Sequence, residues 1–270
     1  MGKSNWFLPV TSTLGFAFLY APILSLVVFS FNANKLVTVW SGFSTQAYVD
    51  LWADDKLLPA ALLSLQIGAI AASIALVLGT LCAVALVRFK RFRGRTILQG
   101  TVSAPLVMPD VITGLALLLL FVAMEQIIGW PRGRGMLTII IAHATFCTAY
   151  VTVVVQSRLS DFDYSLEEAA MDLGASPVRV FFDITLPIIA PALISGWLLA
   201  FTLSLDDLVI ASFVSGPGAS TLPIVIFSKV KLGVSPEVNA LATIIIGVVA
   251  LGVVSAAILQ LRSKRVVKQA

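Results

Sequence analysis

The chain has 270 residues, of which 59% are hydrophobic and only 12% charged, with a mean hydropathy of +0.99. Soluble domains carry about 45–50% apolar and about 25% charged residues, so the composition excludes an ordinary soluble enzyme or binding module and places the chain in a bilayer. The net charge of +4 reflects topology rather than affinity for nucleic acid.

A spanning helix needs roughly 20 mostly apolar residues. Six such runs occur, at about 8–31, 59–87, 97–124, 136–156, 191–214 and 238–261. They are continuous rather than alternating, which predicts helices and argues against a barrel. The expected fold is an all-α membrane protein, one transmembrane domain over residues 1–270. The first run follows Lys3 but is too long for a signal peptide and has no clear small-x-small cleavage site, so it reads as an uncleaved first helix. Next comes a polar segment, 32–58, carrying Trp40, Tyr48, Asp50, Trp52, Asp54 and Asp55. Aromatic residues at this level usually form an interfacial belt; a contact surface for an external protein is the alternative.

The second run ends in the basic cluster Arg88, Lys90, Arg91, Arg93 and Arg95. In the third, Pro105 and Pro109 predict a broken or kinked helix. Asp110 then either caps the restarted helix or joins a site of the kind that discontinuous helices build in transporters. His143 stands alone in the fourth run and reads as a packing hydrogen-bonder, with a substrate or proton ligand as the alternative. Cys82 and Cys147 lie inside runs and have no metal-ligand or disulfide spacing; no metal site is expected.

The segment 157–190 is the longest polar connection. Ser165 is expected to cap a helix with Glu167 and Glu168 in its first turn, where negative charge is favoured. Gly174 would end that helix and Pro177 would start another. Pro187 and Pro191 would mark the turn back into the membrane. In the fifth run, Asp206 and Asp207 are costly enough in lipid to count as functional candidates. At about 100° per residue, Ser195, Thr202 and Asp206 share one stripe of the helix. Asp206 is therefore expected to face a pathway, and Asp207 to pair with another helix or cap a backbone break. Trp197 and Phe201 offer cation–π surfaces or plain packing. With Asp110, these residues form the candidate substrate path. Three carboxylates and no deep Lys or Arg predict a cationic cargo. The glycine-rich turn 215–219 precedes a short helix expected over 222–230.

With both ends inside, twelve Lys and Arg fall on the inner side: Lys3, the five of the 88–95 cluster, Arg158, Arg179, Arg262, Lys264, Arg265 and Lys268. Six fall outside: Lys35, Lys56, Arg132, Arg134, Lys229 and Lys231. The positive-inside rule selects this orientation, and it puts 157–190 in the cytoplasm.

Glu168-Ala169-Ala170-Met171-Asp172-Leu173-Gly174, followed by Ile184-Thr185-Leu186-Pro187, resembles the EAA loop of ABC-importer permeases, E-A-A-x3-G-x9-I-x-L-P, at every fixed position. The resemblance implies a type I importer permease fold with six spans. In it, Glu168, Ala169, Ala170, Asp172, Gly174, Ile184, Leu186 and Pro187 belong to a cytoplasmic coupling segment that sits on an ATP-hydrolysing partner. The chain has no Walker A pattern, so ATP and Mg would be bound by that partner, and no cofactor or catalytic residue is expected here. Ser30-Phe31-Asn32, the stretch 104–110, Thr145 to Tyr150, Phe201 to Val209 and the stretch 234–243 look like polyamine importer permeases, most of all the second permease subunit of putrescine systems, with spermidine systems close. That likeness implies a bacterial inner-membrane complex of two related permeases, two ATPase subunits and an extracytoplasmic polyamine-binding protein. The same architecture carrying another small organic cation is the nearest alternative. A proton-coupled secondary transporter would have no need of the loop, and no HExxH, Ser/His or paired-Asp protease pattern suggests an intramembrane enzyme.

Overall fold

The third apolar run is not one helix. Met108 is extended, because the ring of Pro109 disfavours the α region for the residue before it. The chain therefore stops one helix at Val107 and starts another at Asp110. A second interruption follows Asp206, where Asp207 is extended. Each break sets a carboxylate at a helix end, Asp110 at the start of one helix and Asp206 at the close of another.

In the computed structural model, residues 6–34, 39–89, 91–232 and 235–267 are described. The helices, in chain order, are α1 (Phe7–Phe29), α2 (Gln46–Trp52), α3 (Leu57–Arg88), α4 (Arg95–Val107), α5 (Asp110–Ile128), α6 (Met136–Ser160), α7 (Ser165–Asp172), α8 (Pro177–Val180), α9 (Leu186–Asp206), α10 (Val209–Val214), α11 (Leu222–Leu232) and α12 (Pro236–Val267), with a π-turn over Phe181–Thr185. Among the described residues, five helices are long and apolar enough to cross a membrane, and α12 carries a shorter apolar stretch, Pro236–Gly252. No strand occurs among the described residues beyond one bridge between Asn32 and Phe43.

Two units divide the chain, one of residues 1–58 and 226–270 and one of residues 59–225. In the first, α12 packs against α1 and α2. Ser30 Oγ lies 2.8 Å from Tyr48 Oη, and Phe31 stacks on Phe43 at 5.4 Å between ring centroids. The Asn32 amide donates to the Val39 carbonyl at 2.8 Å and its oxygen accepts from the Ser41 N–H at 3.0 Å. Lys229 pairs with Asp54.

In the second unit α6 is the central strut. Ile139, His143, Cys147, Val151, Val155 and Leu159 recur every four residues and are all buried, one continuous ridge along the helix. Small residues let other helices approach it. A Cβ at Gly79 of α3 would lie 2.7 Å from Val151 Cγ1, and one at Gly196 of α9 would lie 3.5 Å from the same atom. Close approach through small residues is how helices gain packing in lipid, where burial of apolar surface supplies no drive.

The fifth span differs from its sequence boundaries. The apolar run starts at 191 after a proline-marked turn, yet the helical path is unbroken from Pro177 to Asp206. The π-turn allows this: the Leu186 N–H donates to the Phe181 carbonyl, five residues back, and the widened turn leads directly into the imino nitrogen of Pro187 at the start of α9. Ser165 does not cap α7 either. The Ser165 N–H donates to Asp163 Oδ1 at 3.0 Å, so the capping carboxylate comes from two residues upstream.

Candidate functional site

Two places in the second unit concentrate polar chemistry. The first is where the helix breaks meet. α10 packs on α5 so closely that a Cβ at Gly114 would lie 2.7 Å from Phe213 Cδ2 and 3.3 Å from Ile210 Cα. This brings the start of α5 near the end of α9. Asp110 begins α5 in its first turn and is exposed. Asp206 ends α9, is exposed, and no other side chain engages its carboxylate among the described residues. Asp206 stands within electrostatic reach of both Asp207 and Asp110.

Asp207 is used differently. Its Oδ1 accepts from the Ile210 N–H at 3.2 Å and its Oδ2 from the Ala211 N–H at 2.7 Å. Those are orphan donors of the first turn of α10, which a side-chain acceptor satisfies. Oδ2 also lies 3.1 Å from His143 Nε2, and His143 Nδ1 lies 2.7 Å from Ser204 Oγ. Thr202 spends its hydroxyl on the Leu198 carbonyl at 2.8 Å. Trp197 stacks on Phe201 at 5.1 Å with 8° between planes, and its Nε1 donates to Ser73 Oγ of α3 at 3.1 Å. Phe201 rests on Gly68 of α3. The pair Trp197–Phe201 thus joins α9 to α3, whereas Asp206 and Asp110 are gathered at the breaks. A cavity of about 560 Å³ opens beside the α4–α5 break, walled by Cys82, Pro105, Met108, Thr113, Leu117 and Phe146. Met108 and Thr113 bracket Asp110 in sequence.

The second place is the segment 165–187. Glu168, Ala169, Asp172 and Gly174 are exposed, Ala170 is half-buried, and Gly174 takes φ +89°, a left-handed conformation that ends α7. Ile184 and Leu186 are half-buried and Pro187 is exposed. Ser176 Oγ accepts from the Arg179 N–H at 3.4 Å and Pro177 occupies the first turn of α8. The residue that fastens this segment is one the motif does not single out. Glu167 is buried, and its Oε1 accepts from the guanidinium of Arg88, the last residue of α3, and from the Thr185 hydroxyl in the π-turn. The same guanidinium lies 3.2 Å from Thr185 Oγ1. One carboxylate therefore ties α7, α3 and the π-turn together. A sequence signal for it existed: Glu167 sits one helical step from Glu168, so the two face different sides.

Residues 75–268 match the model of a family described as the binding-protein-dependent transport system inner membrane component. The chain belongs to that family. It is a multi-pass membrane protein of an inner-membrane permease family. It is 65% identical over 247 residues to the putrescine transport system permease protein PotI of Escherichia coli K12, covering 92% of this chain and 88% of that one. It is 47% identical over 231 residues to the spermidine/putrescine transport system permease protein PotC of Haemophilus influenzae, covering 86% and 87%. Among solved structures, the permease is similar in fold to a chain of a bacterial ABC transporter involved in the import of the acidic polysaccharide alginate, with a TM-score of 0.71 at 16% identity over 96% of this chain and 98% of that one. It is also similar to the alginate ABC transporter in complex with an alginate pentasaccharide-bound periplasmic protein, with a TM-score of 0.66 at 17% identity over 93% and 91%. Both structures speak to the ABC-importer permease fold alone.

Proposed function

We propose that this permease is one of two membrane subunits of an ATP-driven polyamine importer, with putrescine the foremost cargo and spermidine next. The observation that carries the reading is the meeting of two broken helices at Asp206 and Asp110, whose carboxylates are not engaged by other side chains among the described residues. A half-helix C-terminus carries partial negative charge, so the end of α9 adds to the attraction for an ammonium group. The nearby cavity is walled mainly by apolar side chains, which suits the methylene spacers between ammonium ends. Contacts of this kind are few and weak, as passage requires. The names of the similar proteins from Escherichia coli and Haemophilus influenzae support the same cargo class.

A second, related permease completes the path. Two ATPase subunits, holding ATP and Mg, dock on the exposed face of α7 that carries Glu168, and an extracytoplasmic polyamine-binding protein delivers cargo from the other side. Both termini lie in the cytoplasm of a bacterial cell with the complex in its inner membrane. The Glu167–Arg88–Thr185 knot passes motion of α7 into α3 and α9. A different small organic cation would use the same carboxylates, and competition between labelled putrescine and such cations separates the two.

The test is uptake of labelled putrescine by cells producing Asp206→Asn. Losing a charged contact worth about 1.5–3 kcal/mol raises KM about 10- to 150-fold; unchanged uptake overturns the assignment of Asp206. Glu168→Arg tests docking separately. Co-purification of the ATPase with undiminished transport in that variant rules out the docking face.

A further inference from the structure

One buried titratable side chain is unused by the transport reading. His143 is 1% exposed and sits in the third turn of α6. It contacts both sides of the fifth-span break, Ser204 through Nδ1 at 2.7 Å and Asp207 through Nε2 at 3.1 Å. The contacts lie in a regular seam. Antiparallel steps of four pair Val151 with Gly196, Cys147 with Ala200 and His143 with Ser204. Thr138 extends the seam past the break, its hydroxyl donating to the Val214 carbonyl at 2.7 Å. α6 thereby holds α9 and α10 on one rail.

Ser204 departs from its neighbours in a telling way. The hydroxyls of Ser195 and Thr202 donate to carbonyls one turn back on their own helix, the usual use of such groups in apolar helices. Ser204 instead points across to His143, and the carbonyl one turn behind it, Ala200, takes the Cys147 thiol at 3.4 Å. An ionised Asp207 carboxylate only accepts, so Nε2 carries the proton facing it and the other ring nitrogen shares the Ser204 hydroxyl. Asp207 is then fully committed: two backbone N–H groups and one imidazole N–H surround its two oxygens, and only 8% of its side chain is exposed.

We infer that His143 is a positioning residue of the cation path: it holds Asp207 against α6 and screens that charge, so that Asp206 alone of the adjacent pair is presented to cargo. This rests on the reading of Asp206 as a cation contact. The function served is release. Two unscreened neighbouring carboxylates would hold a polycation tightly, and a transported ligand must leave again.

The experiment uses the complete transporter in liposomes, with initial rates of putrescine uptake measured against concentration. His143→Leu removes the N–H that faces Asp207, strengthening the negative field at the break. KM falls about tenfold and maximal rate falls with it, on the strength of one charge-assisted hydrogen bond. Simple damage to the fold would raise KM or abolish assembly instead. His143→Gln keeps an N–H donor and restores KM to within about threefold of the original. In an Asp207→Asn background, His143→Leu produces no drop in KM. An unchanged or raised KM in assembled His143→Leu overturns the inference. If that variant does not assemble, Asp207→Asn and Asp206→Asn decide: screened Asp207 predicts a KM shift under about threefold for the first and at least about tenfold for the second. Equal large shifts in both overturn the screening role and leave Asp206 as a contact. No shift for Asp206→Asn overturns the underlying path.

Discussion

Removing Arg88 should loosen the coupling segment more than removing its partner. Glu167 has 7% of its side chain exposed and Arg88 has 24%. Arg88→Leu leaves a nearly dry carboxylate with only the Thr185 hydroxyl for company. Breaking a fully buried pair costs about 3–5 kcal/mol; with a quarter of the guanidinium already wet, about 2–3 kcal/mol is the share to expect. Glu167→Ala strands the better-hydrated partner and should cost about 1–2 kcal/mol, since a guanidinium that reaches water keeps much of its solvation. The readout is local opening of the segment, followed by tryptic cleavage after Arg179, whose side chain is 74% exposed. Cleavage limited by opening tracks the open population, so Arg88→Leu accelerates it about 30- to 150-fold and Glu167→Ala about 5- to 30-fold. The double variant cuts no faster than Arg88→Leu alone, because the pair acts as a unit. Equal or reversed effects, or rates within twofold of the unaltered chain, would refute the reasoning.

Gly114→Ala puts a methyl 2.7 Å from Phe213, forcing α10 off α5; overpacking of about 1–3 kcal/mol should lower the melting temperature of the solubilised chain and reduce uptake together. Gly79→Ala meets Val151 and the Thr152 backbone N and should do the same from the α3 side, measured likewise. Burial pushes the Asp54 carboxyl up, but the hydrogen bond from Lys229 and the N–H groups of Leu57 and Lys56 outweigh it and hold the carboxyl below its ordinary range. A depressed folded-state value stabilises fully above the unfolded value of about 3.9 and is lost as pH falls through the folded one. Thermal unfolding scanned downward from pH 5 should therefore show a loss of stability below about pH 4 that Asp54→Asn lacks; the same slope in both would discount the pair.

Sequence patterning ranked the helices poorly. The windows in Phe7–Phe29 and Met136–Ser160 have the same hydropathy, 1.9, yet 0% of the first and 61% of the second is buried. Lipid and protein interior are equally apolar solvents, so hydropathy cannot tell a central strut from an outer helix. The break at Pro109 was legible because proline has a local steric signature. The break at Asp207 and Leu208 has no proline or glycine; the Asp207 carboxylate caps the first turn of α10, a local cue, and also meets His143 of α6, which is a tertiary fact. Glu167 shows the same limit at single-residue scale. The motif drew attention to Glu168, while the buried partner of Arg88 is its neighbour, and helix phase against α3 decides between them. Asp206 and Asp207 were separable by face, and the geometry gives them different surroundings.

The ridge on α6 also bears on how the chain enters the membrane. A segment with two adjacent aspartates near its end partitions poorly from the translocation machinery into lipid, at about 2.5–3.5 kcal/mol for each Asp at a helix centre. Synthesis runs from the N-terminus, so α6 emerges before α9 and α10. His143 and the small-residue seam are then already present when Asp207 arrives, offering it a polar landing place that bare lipid does not. The fifth span is in this sense a client of the fourth, and substitutions along 139–151 should appear first as failed insertion of residues 186–214, before any transport is measured.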